Sequence, residues 1–354
     1  MATKKFDALF TAQNIYLFNL LYRHQVYLEG VKAGFAQNYR ELLTQIYSQF
    51  AAFIHGVRYE RMDSFTRKEL ITFVYRFKRA QIQFYSIYTQ QLIKILQDFL
   101  ATDVEVTRDI YVHVTGRTPE QENDLTATEH EQLTQTANQL PTHVDASPLY
   151  GISAISGDDA GNESLWATVS NAPVPANGQT PEQMIAWFVN YAITASSSLI
   201  TKAYANAWTP QETLEAFTGI AIGRNAQAGD PDGFRGGVLS RLAAANDAVV
   251  NTLVQHTSAI VQMGIGSAYL SYYQWASILD SRTSEVCRTR DGNIYVVGEG
   301  PLPPAHPNCR SRTFPLYGEQ PIDLATAGFP EYNVTPPLTL DQFVKKMRAS
   351  YTAN

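Results

Sequence analysis

Cysteine is scarce in this chain of 354 residues, which has only Cys287 and Cys309. That excludes a disulfide-stapled scaffold, and in a reducing compartment even one bridge between the pair is not assured. Long apolar runs are missing as well. With no stretch of about twenty apolar residues and no apolar segment ending in a small-residue cleavage site near the start, neither a membrane span nor a secretory signal is predicted. The chain is expected to be made and used from the cytosol. No internal repeat or long low-complexity tract occurs. The glycine-rich stretch 229–237 lacks the Lys-Ser/Thr of a phosphate-binding loop, and no strand is expected to lead into it, so nucleotide binding is not assigned.

Positive charge is scarce in one region only. Residues 101–160 hold two Lys or Arg against eleven Asp or Glu, whereas residues 1–100 hold thirteen against seven. A basic head therefore precedes an acidic middle, within a net charge of −6. Either the head meets an anionic partner or the two parts attract each other. The head also holds twenty of the 41 aromatic residues, a density suited to helix packing or to subunit interfaces. Arg67, Lys68, Arg76, Lys78 and Arg79 are candidates for DNA or membrane contact, against the plainer reading of a solvated face.

Composition and periodicity predict an α+β protein, mainly helical, with an N-terminal helical bundle and a small C-terminal β unit. Residues 1–100 form the basic, aromatic-rich helical region. Phe35, Tyr39, Leu42, Ile46, Phe50 and Phe53 share one face, and Phe73, Phe77, Phe84, Tyr88, Leu92, Ile95 and Phe99 share another in a longer helix. Thr66 and Glu69 are spaced as a capping box at its start. Breaks are predicted at Gly30 and at His55-Gly56. Residues 101–180 form an acidic, loop-rich middle with a strand pair predicted around Val104, Val106, Ile110, Val112 and Val114, which alternate with polar residues.

Residues 181–317 are predicted to be a helical segment plus the small β unit. Thr180-Pro181 and Thr209-Pro210 start helices over 181–206 and 210–222, and a loop spans 223–237. A further helix carries Leu239, Leu242, Asn246, Val249, Leu253, His256 and Ile260 on one stripe, where His256 reads as a core residue. Residues 318–354 form a tail with a short helix from about 340 to 351.

The chemistry concentrates near the C-terminus in Asp280-Ser281-Arg282-Thr283, Cys287, Asp291-Gly292, Pro303-Pro304 and His306-Pro307-Asn308-Cys309-Arg310. Asp291-Gly292 is predicted to turn one strand into the next. The prolines are predicted to make a stiff, extended connection that delivers His306 and Cys309. Arg282 is expected to form an ion pair with Asp280 and Asp291. Cys287, His306 and Cys309 have the donor atoms for zinc, with Asp280 or Asp291 as a fourth ligand, although no Cys-x-x-Cys pair is present. The alternatives are a disulfide and plain packing of reduced thiols. A Cys–His pair also raises thiol hydrolysis, but no orienting Asn or Asp and no oxyanion loop accompany it, so no catalytic residue is assigned and the chain is not expected to be an enzyme.

This ordered set of motifs resembles the phage Mu F-like head-morphogenesis family, the minor head proteins of tailed bacteriophages. The resemblance runs over about residues 239–316, about a fifth of the chain. Where many relatives carry further cysteines this chain has Ser284 and Ser311, and His256-Thr257 stands where relatives often show Arg-Thr. The resemblance implies a minor head protein that joins the particle at or near the portal vertex, with portal, capsid or scaffold proteins as partners, self-association, and ejection with the DNA in some cases. It implies location in the virion, and in the host cytoplasm during assembly. Two other readings are a membrane-active ejection protein, its basic aromatic helices opening the envelope, and a metal-dependent enzyme.

Overall fold

In the computed structural model of the chain, residues 2–115, 159–222, 234–270 and 272–316 are described. They are mainly helical, with short antiparallel strands. Helix α1 spans Ala2–His55 without the break expected at Gly30. One interior glycine costs a helix about 1 kcal/mol, less than is regained by the stripe of Leu21, Leu28, Phe35 and Tyr39, buried on both sides of it. The helix ends where expected, with Gly56 N donating to Ala52 O at 3.1 Å.

A 3-10 turn at Met62–Ser64 leads to α2, Arg67–Thr115. Its capping box is present: Glu69 N donates to Thr66 Oγ1 at 3.3 Å and Thr66 N to Glu69 Oε2 at 2.8 Å. The strand pair predicted at Val104–Val114 is replaced by the last turns of α2. Phe99, Asp103, Thr107 and Tyr111 are buried at every fourth position, with Leu100 and Ile110 buried beside them, a helical spacing. Extending an established helix gains one hydrogen bond per residue with no new nucleation cost, which outweighs β-branched propensity.

Helix α3, Asp159–Asn171, lies in the middle region read as loop; it anchors Leu165, Trp166 and Val169 in the core. The rest of that acidic middle, 116–158, falls outside the described residues, as do 223–233 and the predicted tail helix. Helix α4 is Pro181–Ala205 and α5 is Pro210–Thr218. Thr209 and Glu212 make a complete capping box on α5. Contrary to expectation, α5 stops at Gly219 rather than 222, and β1 (Gly219–Ala221) pairs antiparallel with β2 (Phe234–Gly236). Gly219 has φ of 93°, and a Cβ there would lie 2.4 Å from Arg235 O. Only glycine fits.

Helix α6, Val238–Gly266, buries the predicted stripe, with Ile260 half-buried. A three-stranded antiparallel sheet follows, ordered β4-β3-β5, from β3 (Tyr272–Ala276), β4 (Ile294–Val296) and β5 (Arg312–Leu316). Tyr273 pairs with Tyr295 on one side and Pro315 on the other. Pro315 has no N–H to donate and sits on an edge strand.

Contacts group the chain into two compact units that interleave along the sequence. The first takes in residues 1–31, 96–181 and 252–354. Phe18 lies on Phe314 with ring centroids 4.0 Å apart, and Tyr111 stacks on Tyr269 at 5.1 Å. The second takes in 32–95 and 182–251. Its core is aromatic: Phe50 stacks on Phe217 at 4.0 Å and meets Phe77 edge-on, and Tyr39, Tyr85 and Tyr88 surround Phe188. Much of the aromatic density of the first hundred residues thus serves internal packing. Although no membrane-length apolar run was expected, α4 meets that test by length and composition, with mean hydropathy 1.2 over its most apolar window. Half of that window is buried.

Candidate functional site

The predicted motif residues lie in the loops and the one short helix around β3, within the first unit. The chain leaves β3 through Ser277, turns at Asp280–Thr283, and enters helix α7, Glu285–Arg290. Ser284 caps α7 by accepting from Cys287 N at 3.3 Å, Glu285 lies in the first turn, and Arg288 and Arg290 lie in the last. These are ordinary helix signals. They explain why the Asp291-Gly292 turn follows a helix and not a strand, as had been predicted. Gly292 N donates to Trp275 O at 2.8 Å and Trp275 N to Asn293 O at 2.9 Å, clamping the turn onto β3. Asp291 accepts from Ser277 N at 2.6 Å, and burial raises its carboxyl above the usual range.

Asp280 organises the first turn. Thr283 Oγ1 accepts from Asp280 N at 2.8 Å and donates to Ile278 O, while Arg282 N donates to Asp280 Oδ1 at 2.9 Å. The expected ion pair is present with a different principal partner. Arg310, from the far end of the motif, meets Asp280 with two parallel hydrogen bonds of 2.8 and 2.6 Å, whereas the Arg282 side chain is 77% exposed and 3.6 Å away. A guanidinium held across a turn gives fork geometry that an exposed neighbour does not. The Arg310 hydrogen bond is the main cause holding the Asp280 carboxyl far below its usual range. Asp280 is thus engaged by Arg310, and Asp291 by Ser277.

The proline-rich stretch 301–307 delivers its residues as predicted but ends in a tight turn, with Cys309 N donating to His306 O at 3.1 Å. Pro304 is buried. Asn308 N donates to Thr252 Oγ1 at 3.2 Å, tying the turn to α6. Three donor atoms converge here, all within 4.8 Å of one another. Cys287 Sγ lies 3.2 Å from His306 Nε2 and 3.7 Å from Cys309 Sγ. Both cysteines are free and buried. His306 Nδ1 faces Pro307 O at 2.8 Å; a carbonyl only accepts, so Nδ1 carries the proton and Nε2 presents its lone pair. The Cys309 thiol donates to Cys287 and, with Ser284 and Ser311 adding to the effect, lowers the Cys287 thiol. Cys309 is correspondingly raised. A proton shared between two sulfurs accounts for both directions.

Sequence reasoning missed the floor of this site. Trp275 packs against both cysteines, and its indole N–H donates to Ser277 Oγ at 2.9 Å. Ser277 in turn reaches Cys287 O at 2.9 Å and Ser311 Oγ at 3.0 Å. Within Tyr272-Tyr273-Gln274-Trp275-Ala276 the tryptophan gives no local sign of this.

A buried polar relay was also missed. In the core of the first unit Arg312 donates to His24 Nδ1, and Arg312 Nε donates to Gln262 Oε1 at 2.7 Å. His24 Nε2 must then carry the proton donated to Asp103 Oδ1 at 2.6 Å, so a neutral imidazole bridges opposite charges. Burial is the main cause lowering the His24 pKa, and it also lowers Arg312, to about 10. The available signal was a charged residue, Asp103, on the apolar face of α2. No family model, curated protein or solved structure matches the chain.

Proposed function

We propose that this chain is a minor head protein of a tailed phage, a virion component that acts by binding and not by catalysis, at or near the portal vertex. The observation carrying this reading is the mutual engagement of the motif residues. Asp280 holds Arg310 across thirty residues, Thr283 closes the Asp280 turn, and Cys287, His306 and Cys309 meet over Trp275. Side chains that satisfy one another in this way make a rigid module, the property required of a docking element. It also supports the resemblance of these residues to the Mu F-like family, because the residues that carry the likeness are those that build the module. His306 is oriented by a backbone carbonyl and not by a carboxylate or amide, and the Cys287 sulfur lies in a buried pair. Both features suit structure better than turnover.

The partners this reading names are the portal and the capsid or scaffold proteins, with self-association and passage out with the DNA as further parts of it. Quantitative peptide mass spectrometry on gradient-purified particles of the encoding phage tests it. The expected result is a small, fixed ratio to portal, far below the major capsid protein, with cross-links to portal. Absence of the chain from purified particles would overturn the reading.

A further inference from the structure

The first unit brings together two cysteine sulfurs and one imidazole nitrogen with nothing between them but a proton. Their spacing is that of ligands around an ion. A tetrahedral zinc about 2.3 Å from sulfur and about 2.0 Å from nitrogen separates two sulfurs by about 3.8 Å and sulfur from nitrogen by about 3.5 Å. The Cys287–Cys309 sulfurs are 3.7 Å apart, and Cys287 Sγ is 3.2 Å from His306 Nε2. Between Cys287 and His306 an ion needs a few tenths of an ångström of opening, and the third pair, Cys309 Sγ and His306 Nε2, lies within 4.8 Å.

The imidazole is already prepared. Its Nδ1–H is committed to Pro307 O, so the lone pair on Nε2 points at the sulfurs. This is the arrangement by which zinc-binding histidines are commonly oriented. Charge balance agrees as well. Two thiolates and one Zn²⁺ sum to zero, so a filled site buries no net charge at a place where Cys287 is 2% and Cys309 0% exposed. Any thiol proton still on either sulfur leaves to solvent as that sulfur takes the metal.

We propose that Cys287, His306 and Cys309 bind one zinc ion, with a water molecule as the fourth ligand. Beside the three donors a small cleft of about 10 Å³, lined by Ser284, Ser311 and Asn308 among others, has the space of about one water. Asp280 and Asp291 are not the fourth ligand, being held by Arg310 and Ser277. This inference does not depend on where the chain resides in a particle.

The test uses the full chain, purified under reductant, loaded with zinc and desalted, with metal measured by mass spectrometry. One zinc per chain is expected for the native protein and for Asp280→Asn. Cys287→Ser, Cys309→Ser and His306→Ala should each retain less than about a tenth of it. To separate ligand loss from misfolding, cobalt is also loaded into the native chain. Tetrahedral d–d bands and a thiolate charge-transfer band are expected, lost on chelation together with a fall in thermal midpoint, and both restored by zinc. No zinc retained by the reduced native chain, octahedral cobalt spectra, or a Cys287–Cys309 disulfide forming while zinc is present in excess would each overturn the proposal.

Discussion

His256 lies fully buried on α6. Its ring faces the backbone of Val169 and Ala172, yet neither nitrogen completes a hydrogen bond. Desolvation lowers its pKa from 6.5 to about 4, so the folded state resists a proton that the unfolded chain accepts below pH 6.5. Stability is therefore lost as pH falls from about 6.5 toward 4 and is unaffected by this group above pH 7. Between pH 7 and pH 5 the loss is about 2 kcal/mol. His24, also lowered by burial, adds in the same direction, so the contribution of His256 must be read as a difference. His256→Leu should flatten the stability-versus-pH curve by about 2 kcal/mol over that interval, measured by urea unfolding at a series of pH values; parallel curves for the two proteins would sink the assignment. The sequence identified His256 as a core residue because its neighbours at three and four residues are apolar. It could not indicate that the ring lacks partners, which depends on how α3 approaches. The same limit explains Arg282 and Arg310. Both were visible beside Asp280 in the motif, but which one reaches across the turn is decided by the fold.

At the scale of elements, helices α1, α2 and α6 and strand β5 are joined by side chains that carry charge into the first unit's core. Asp103 and Arg312 are both fully buried, with His24 as the neutral link, and Asp103 Oδ2 and Arg312 Nη1 lack hydrogen-bond partners. Removing one member of such a buried pair costs about 3–5 kcal/mol, because the other charge is stranded, whereas replacing both with apolar residues of similar volume is close to neutral. Asp103→Ala should therefore destabilise the unit by about 3–5 kcal/mol, and Asp103→Leu combined with Arg312→Met should recover most of that loss. Equal loss in the single and double variants would show that the elements are held by packing alone. Helix faces and caps were legible at this scale, since Thr66-Glu69 and Thr209-Glu212 are local signals. Strands were not. Alternation at Val104–Val114 resembled a strand because Val104, Val106 and Val112 sit half-buried at the margins of the α2 stripe formed by Asp103, Thr107 and Tyr111, and the three-residue β1 and β2 are too short to leave a pattern.

For the whole molecule, the interleaving of the two units decides which experiments are informative. Periodicity reveals that a helix face is buried but not against what, so the first hundred residues read as one region although they contribute to both units. Deleting residues 1–100 would strip Leu17, Phe18, Leu21 and His24 from the core that holds β5, and loss of function would then report only misfolding. Substitution on an exposed face avoids this. On α2, Ile71, Tyr75 and Ile82 are 61%, 63% and 59% exposed, spaced so that with Lys78 they share one side of the helix. Phe77, Gln81 and Tyr85 are buried. Arg67, Lys68, Arg76 and Arg79 are exposed beside that stripe. An apolar stripe bordered by cations suits a protein partner with an apolar centre and an acidic rim, consistent with the head-protein reading. Ile71→Ser, Tyr75→Ser and Ile82→Ser together should leave folding stability nearly unchanged, since exposed positions contribute little. The same triple variant should enter particles at least about tenfold less, the consequence of losing ~1.4 kcal/mol of binding. Complementation of a deletion phage, with the chain counted in purified particles, measures this. Normal incorporation of a stably folded triple variant would mean that this face has no role in assembly and that docking rests on another surface.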